Sequence, residues 1–245
     1  MEDFSFLFKG KYRNGKWWKG KIKIEENNHF GFEGNYLNGK INGKGKEFIK
    51  VGEDNEIIFS GKYLNDKRWD GKGYNKGKQI FEIKNGYGDI KEYFDGSNKI
   101  KLECKYKRGR INGEGTEYYK NGKKKFKGEF KSVRDPLFDI YLIELGHFIV
   151  KKWNGIGYDP EEKEIYRLEN GKGSVIIFDD DGKLIGYEGE YLNGEKNGKG
   201  KEYDHSGELV FEGEYLNWKK WNGIYRNGEY VIENGKERKN KWINS

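Results

Sequence analysis

FEGNYLNGKINGKGKEF, residues 32–48, is a phrase built to fold back on itself. Phe32, Gly34 and Tyr36 stand at i, i+2 and i+4, so an extended chain puts them on one face and sends Glu33 and Asn35 to the other. Asn38-Gly39 follows, a pair that tolerates the positive backbone angles of a two-residue hairpin turn. The spacing predicts a β-hairpin over 32–48. With that turn as pivot, Gly34 falls opposite Gly43 and Phe32 opposite Gly45, so the returning strand offers bare backbone on which a ring can lie flat.

Near copies of the phrase recur, as LECKYKRGRINGEGTEY from Leu102 and YEGEYLNGEKNGKGKEY from Tyr187. A second version carries one more residue and a Trp before its glycine: FKGKYRNGKWWKGK from Phe8, FSGKYLNDKRWDGKG from Phe59 and FEGEYLNWKKWNGIY from Phe211. Tyr36 and Gly43 are seven apart, whereas Tyr12 and Gly20 are eight apart. A third version lacks the first turn: FEIKNGYGDIKEY from Phe81, YRLENGKGSVIIF from Tyr166 and YVIENGK from Tyr230. Asn14-Gly15, Asn193-Gly194 and Asn227-Gly228 offer the same turn chemistry as Asn38-Gly39. The expected fold is all-β: an elongated, single-layer antiparallel meander of about ten hairpins, each touching only its neighbours. Residues 1–245 read as one array. Residues 1–8 and 230–245 are its expected terminal caps, and an apolar insertion interrupts it near 131–152.

Composition agrees with a thin, ring-filled structure. Of the 245 residues, 33% are hydrophobic and 36% charged, yet 16% are aromatic, which argues against disorder. There are 37 Gly but only 2 Pro, so reversals rely on Gly and Asn. A lone Cys104 cannot form an internal disulfide, and MEDFSFLF has no basic region or long apolar stretch of the signal-peptide kind, so a cytoplasmic location is expected. The net charge of +7 suits acidic partners, but both signs alternate along the chain, which favours a general bias over a dedicated basic patch.

The phrase Tyr/Phe-x-Gly-x-Tyr-x-x-Gly-x-x-x-Gly-x-Gly resembles the MORN repeat over nearly the whole chain. Ile83 and Leu168 depart from it where the first glycine belongs, as does Cys104. The resemblance implies a non-catalytic scaffold, associated with membrane or cytoskeleton, that contacts a protein partner and an anionic phospholipid surface and forms homodimers. The linking stretches EYYKNGKKKFKGEF and EYDHSGELVFEGEYLN are also similar to the repeat of bacterial YwqK-type antitoxins, which implies the alternative of an immunity-like inhibitor that binds a protein toxin.

KSVRDPLFDIYLIELGHFIVKK breaks the rhythm after Phe130. Its apolar residues, with Leu137, Phe138, Tyr141, Leu142 and Phe148 foremost, either cover a side of the array or form a binding patch. Lys120, Lys123, Lys124, Lys125, Lys127 and Lys131 precede them with only Glu129 in opposition, so the insertion and Lys123, Lys124 and Lys125 are the expected partner-binding site.

No cofactor, metal site or enzymatic centre is expected. His29, His147 and His205 stand in unrelated repeats without a second ligand at zinc-like spacing. The segments from Gly10 to Lys16 and from Gly34 to Lys40 imitate phosphate loops, but Trp17 and Ile41 stand where Ser or Thr belongs. Asp179-Asp180-Asp181-Gly182 lacks the further oxygen ligands of a calcium loop. The rings are better accounted for by packing than by stacking on bases, which argues against nucleic acid.

Overall fold

A computed structural model of the chain describes residues 4–26, 30–51, 54–94, 96–134 and 148–239. These residues form strands and turns only. The strands are β1 (Phe4–Arg13), β2 (Lys16–Glu26), β3 (Phe30–Leu37), β4 (Lys40–Val51), β5 (Asp54–Leu64), β6 (Lys67–Asn75), β7 (Lys78–Lys84), β8 (Tyr87–Tyr93), β9 (Ile100–Lys107) and β10 (Arg110–Tyr118). They continue as β11 (Lys124–Arg134), β12 (Phe148–Tyr158), β13 (Glu164–Leu168), β14 (Gly173–Phe178), β15 (Ile185–Leu192), β16 (Glu195–Tyr203), β17 (Leu209–Leu216), β18 (Lys219–Tyr225), β19 (Tyr230–Glu233) and β20 (Lys236–Lys239). In strict chain order, β1 to β13 form one open antiparallel sheet and β14 to β20 another, the all-β meander that the repeat predicts. Two compact units are present. Unit 1 comprises Met1–Gly113 and Ser132–Val150, and unit 2 comprises Glu114–Lys131 and Lys151–Ser245.

The Asn-Gly turns behave as their chemistry demands. Asn38 and Gly39 have φ of 53° and 81°, and Asn193 and Gly194 have 55° and 72°. Asn227-Gly228 differs. Only Gly228 is left-handed there (φ 67°), and its N–H donates to the Tyr225 carbonyl at 2.8 Å inside a longer loop.

The register differs from the simple expectation. Tyr36 pairs with Ile41 as the turn requires, but Gly34 pairs with Gly45 rather than Gly43, because two extra residues of β4 are accommodated between these pairs. Gly43, at φ 99°, takes the left-handed backbone of this bulge. Gly198 repeats it at φ 89°, where Gly189 pairs with Gly200. The Trp version instead accommodates one extra residue. Gly10 pairs with Gly20, Gly61 with Gly71 and Gly213 with Gly223, leaving Trp18, Trp69 and Trp221 unmatched. The structural equivalent of Gly20 is therefore Gly45, and the seven- and eight-residue spacings mark two bulge types.

Each bulge connects one hairpin to the next. The Trp69, Trp153 and Trp221 carbonyls accept N–H donors from Gly86, Gly171 and Gly235, the second turn residues of the following hairpins, at 2.7, 2.7 and 2.8 Å. The next side chain completes the link. Asp70, Asn154 and Asn222 accept from the N–H groups of Asn85, Asn170 and Asn234 at 2.7, 2.6 and 3.0 Å. Trp-Asp/Asn-Gly is thus one device: a carbonyl and a side chain for the next turn, then a glycine for a ring.

Glycines line up across strands. Gly34, Gly45, Gly61 and Gly71 form one row in unit 1, and Gly189, Gly200, Gly213 and Gly223 form another in unit 2. Rings cover one side of each row. A Cβ on Gly45 would lie 2.7 Å from the Phe32 ring, and one on Gly223 would lie 2.5 Å from the Phe211 ring. Rings of successive hairpins then meet edge-on, Phe32 with Tyr63 at 5.1 Å and Tyr187 with Tyr215 at 5.5 Å.

Candidate interaction surface

Two faces of the same strands carry two kinds of charge. On the ring face, a cation lies over an aromatic and pairs with a glutamate from a preceding strand. Arg68 sits 4.8 Å from the Phe59 ring centre and donates from Nε and Nη2, one edge of its guanidinium, to the two carboxylate oxygens of Glu47, while the Tyr63 hydroxyl donates to Glu47 at 2.7 Å. Lys152 sits 5.3 Å from the Phe126 ring and 2.6 Å from Glu117. Lys220 sits 4.8 Å from the Phe211 ring and 3.0 Å from Glu202, which also holds Lys196 at 2.5 Å. In the first hairpin Trp17 takes the cation's place, stacked on Phe8 at 4.9 Å.

These pairs tune their own titration. Burial pushes the Glu47 carboxyl up, but the Arg68 charge and the hydrogen bonds from Arg68 and Tyr63 outweigh it and hold the group below its ordinary value. Glu202 is likewise lowered, with burial opposed by hydrogen bonds and charge from Lys196 and Lys220. Glu47 and Glu202 are thus each matched by a cation on the ring face.

The opposite face is where side chains are left over. In unit 1 it forms an open trough of about 680 Å³ behind the glycine row. Lys44 faces Lys62, Lys9 faces Lys21 and Lys11 faces Lys19 directly across neighbouring strands. Like charges so placed repel. Glu33 lies between Lys23 and Lys46, and Asp70, opposite Lys62, accepts the Asn85 N–H. Among the described residues, no ion pair involves Lys21, Lys44, Lys46 or Lys62. Lysines scattered along the sequence are thus gathered by the sheet onto one face, with Glu33 and Asp70 among them.

Unit 2 has a trough of about 720 Å³ behind its own glycine row. Here Lys201 lies between Glu188 and Glu212, at 4.0 and 3.6 Å, and Lys199 faces Glu214. Glu190 accepts the Lys199 N–H at 2.8 Å, and Glu214 accepts from the Asn222 amide at 2.8 Å. Glutamates outnumber lysines on this surface. Register equates Lys62 with Glu214, Asn35 with Glu190 and Ser60 with Glu212.

The residues expected from sequence to bind a partner are described only in part. Leu137, Phe138, Tyr141 and Leu142 lie outside the described residues, and Phe148 begins β12. The basic flank is more heavily paired than Glu129 alone would allow. Lys125 is buried, 2.8 Å from Asp180; Lys124 lies 3.6 Å from Glu162, and Lys120 lies 3.4 Å from Asp181. Lys123 remains exposed. Asp179-Asp180-Asp181 is thereby a hairpin turn that clamps lysines. Gly15 and Gly39, in the phosphate-loop imitations, are hairpin-turn residues.

Among the described residues, no group of three His, Cys, Asp or Glu side chains is disposed to hold a metal, and no helix is long and apolar enough to cross a membrane. Comparison with known proteins found no family model that matches the chain and no similar curated protein.

Proposed function

We propose that the chain is a non-catalytic, MORN-like repeat scaffold that holds an anionic partner surface in the lysine trough of unit 1. The observation that supports this reading is the Lys44–Lys62 juxtaposition. At the equivalent positions of unit 2, Lys199 meets Glu214, so the backbone accommodates an opposite-charge pair there, and the repulsive arrangement brings the sheet no stability of its own. Lysines held this way add attraction to an anionic surface of about 1 kcal/mol each, weakened by salt. The phrase's resemblance to MORN repeats agrees with a scaffold role.

Flotation with vesicles tests the reading, with phosphatidylserine supplying a generic anionic surface and pure phosphatidylcholine the neutral control. Binding should require phosphatidylserine, fall in high salt, and be lost in the Lys44→Glu/Lys62→Glu variant. Flotation that the variant leaves unchanged, or none at low salt, refutes it.

A further inference from the structure

The two troughs are complementary to each other. Both lie behind a row of four paired glycines, and they are similar in volume. Both have a leucine two residues beyond an outward side chain: Leu64 after Lys62 in unit 1, Leu192 after Glu190 and Leu216 after Glu214 in unit 2, all exposed. Lys44 faces Lys62 in one trough, with no ion pair to either among the described residues, whereas in the other Glu190 and Glu214 flank the single Lys199, Glu190 accepting its N–H and Glu214 standing across from it. A single chain therefore carries a surface with an excess of lysine and a surface with an excess of glutamate, of one construction and each with an apolar rim.

The geometry points to a second copy of this chain as the occupant of the lysine trough, docked through its glutamate trough so that Lys44 and Lys62 of one copy meet Glu190 and Glu214 of the other. This inference rests on the lysine trough being an anion-holding surface and names its partner. The contact joins unlike faces, so it is heterologous, and copies add through donor and acceptor surfaces. Opposed charges steer the encounter and set the register, while the leucine rims supply the apolar area that rim charges alone do not. Salt weakens such an interface because the charges sit in open troughs.

Sedimentation velocity on the full chain tests the inference. At low salt the weight-average sedimentation coefficient should rise with concentration, and high salt should abolish the rise. Lys44→Glu/Lys62→Glu alone, or Glu190→Lys/Glu214→Lys alone, should weaken association at least about tenfold. An equal mixture of the two variants should regain it, because each reversed trough then meets a complementary one. All four side chains are exposed, and Lys44→Glu/Lys62→Glu exchanges one like-charge pair for another, so its melt should match the parent; Glu190→Lys/Glu214→Lys also loses the acceptors of the Lys199 N–H and the Asn222 amide, so its melt should fall modestly and association is read well below it. If a reversal variant fails to fold, Lys44→Gln/Lys62→Gln replaces it, with the same direction expected. A chain monomeric at every concentration, association indifferent to either variant, or a mixture without recovery overturns the inference. A monomeric chain that still floats with phosphatidylserine overturns only this inference, and one that does not float at low salt overturns the lysine-trough reading on which it rests.

Discussion

The trough behind Gly34, Gly45, Gly61 and Gly71 and the trough behind Gly189, Gly200, Gly213 and Gly223 are one backbone design with opposite charge. On the ring side the two regions hardly differ. Each has rings on glycines and a cation sandwiched between ring and glutamate, because close packing leaves few side chains that fit. On the outer side Lys62 becomes Glu214 and Ser60 becomes Glu212, since no packing constrains them. Shared positions maintain the fold, and divergent positions give the two regions surfaces of different charge.

The largest expected effect tests the shared half of that comparison. A Cβ on Gly61 would meet the Asp70 carbonyl oxygen at 2.1 Å and the Gly71 Cα at 2.6 Å; on Gly213 it would meet the Asn222 oxygen at 2.2 Å and the Gly223 Cα at 2.6 Å. These obstacles are backbone and cannot rotate away. Gly61→Ala and Gly213→Ala should each cost about 3 kcal/mol in urea unfolding. Costs that differ by more than about 1 kcal/mol would break the equivalence of the two regions.

A smaller effect should separate them. Arg68→Met leaves Glu47 with only the Tyr63 hydroxyl, whereas Lys220→Met leaves Glu202 with Lys196. The side chains are partly exposed, so the expected losses are about 2 and about 1 kcal/mol. The pH dependence carries a sign. Glu47 titrates below its ordinary value, so its contribution is present above the unfolded carboxyl's range and is lost as pH falls through the folded value. With Arg68 gone, burial is opposed only by the Tyr63 hydrogen bond and should outweigh it and raise the Glu47 value, so acidification should then favour the folded state at this site. Unfolding of Arg68→Met at two acidic pH values checks the reversal; an unchanged acid profile would mean that Arg68 does not hold Glu47 charged.

Much of this was legible in sequence, and the gaps have physical causes. Period-two alternation of ring and glycine, with Asn-Gly turns, specifies hairpins locally, so the meander followed from FEGNY and its copies. Register did not, because whether Gly43 or Gly45 faces Gly34 depends on where extra residues bulge, and a left-handed glycine reads in sequence like a packing one. The cation in Lys/Arg-Trp was missed for a related reason: its glutamate partner belongs to another hairpin, as with Glu47 and Arg68. The lysine trough was hidden because its members are separated by whole strands and assemble only when β2 to β6 align. A periodicity count of alternate residues, strand by strand, would have revealed it. The pairing of Lys125 was hidden for the same reason, since Asp180 is distant in sequence but adjacent in space.

The smallest effect is the most discriminating. Lys44→Glu places a carboxylate opposite Lys62, copying in reverse the Lys199–Glu214 pair of unit 2. It removes a repulsion and adds an attraction on an exposed surface, so it should stabilise the fold by about 0.5 kcal/mol at low salt and by less at high salt. The same change should weaken flotation with phosphatidylserine vesicles. A surface shaped only by folding has no reason to be improved in stability and impaired in binding by one substitution, whereas a surface held in repulsion for an anionic partner must show both. If Lys44→Glu destabilises the chain, Lys44 has a structural role in unit 1, and the opposition between the two troughs loses its functional meaning.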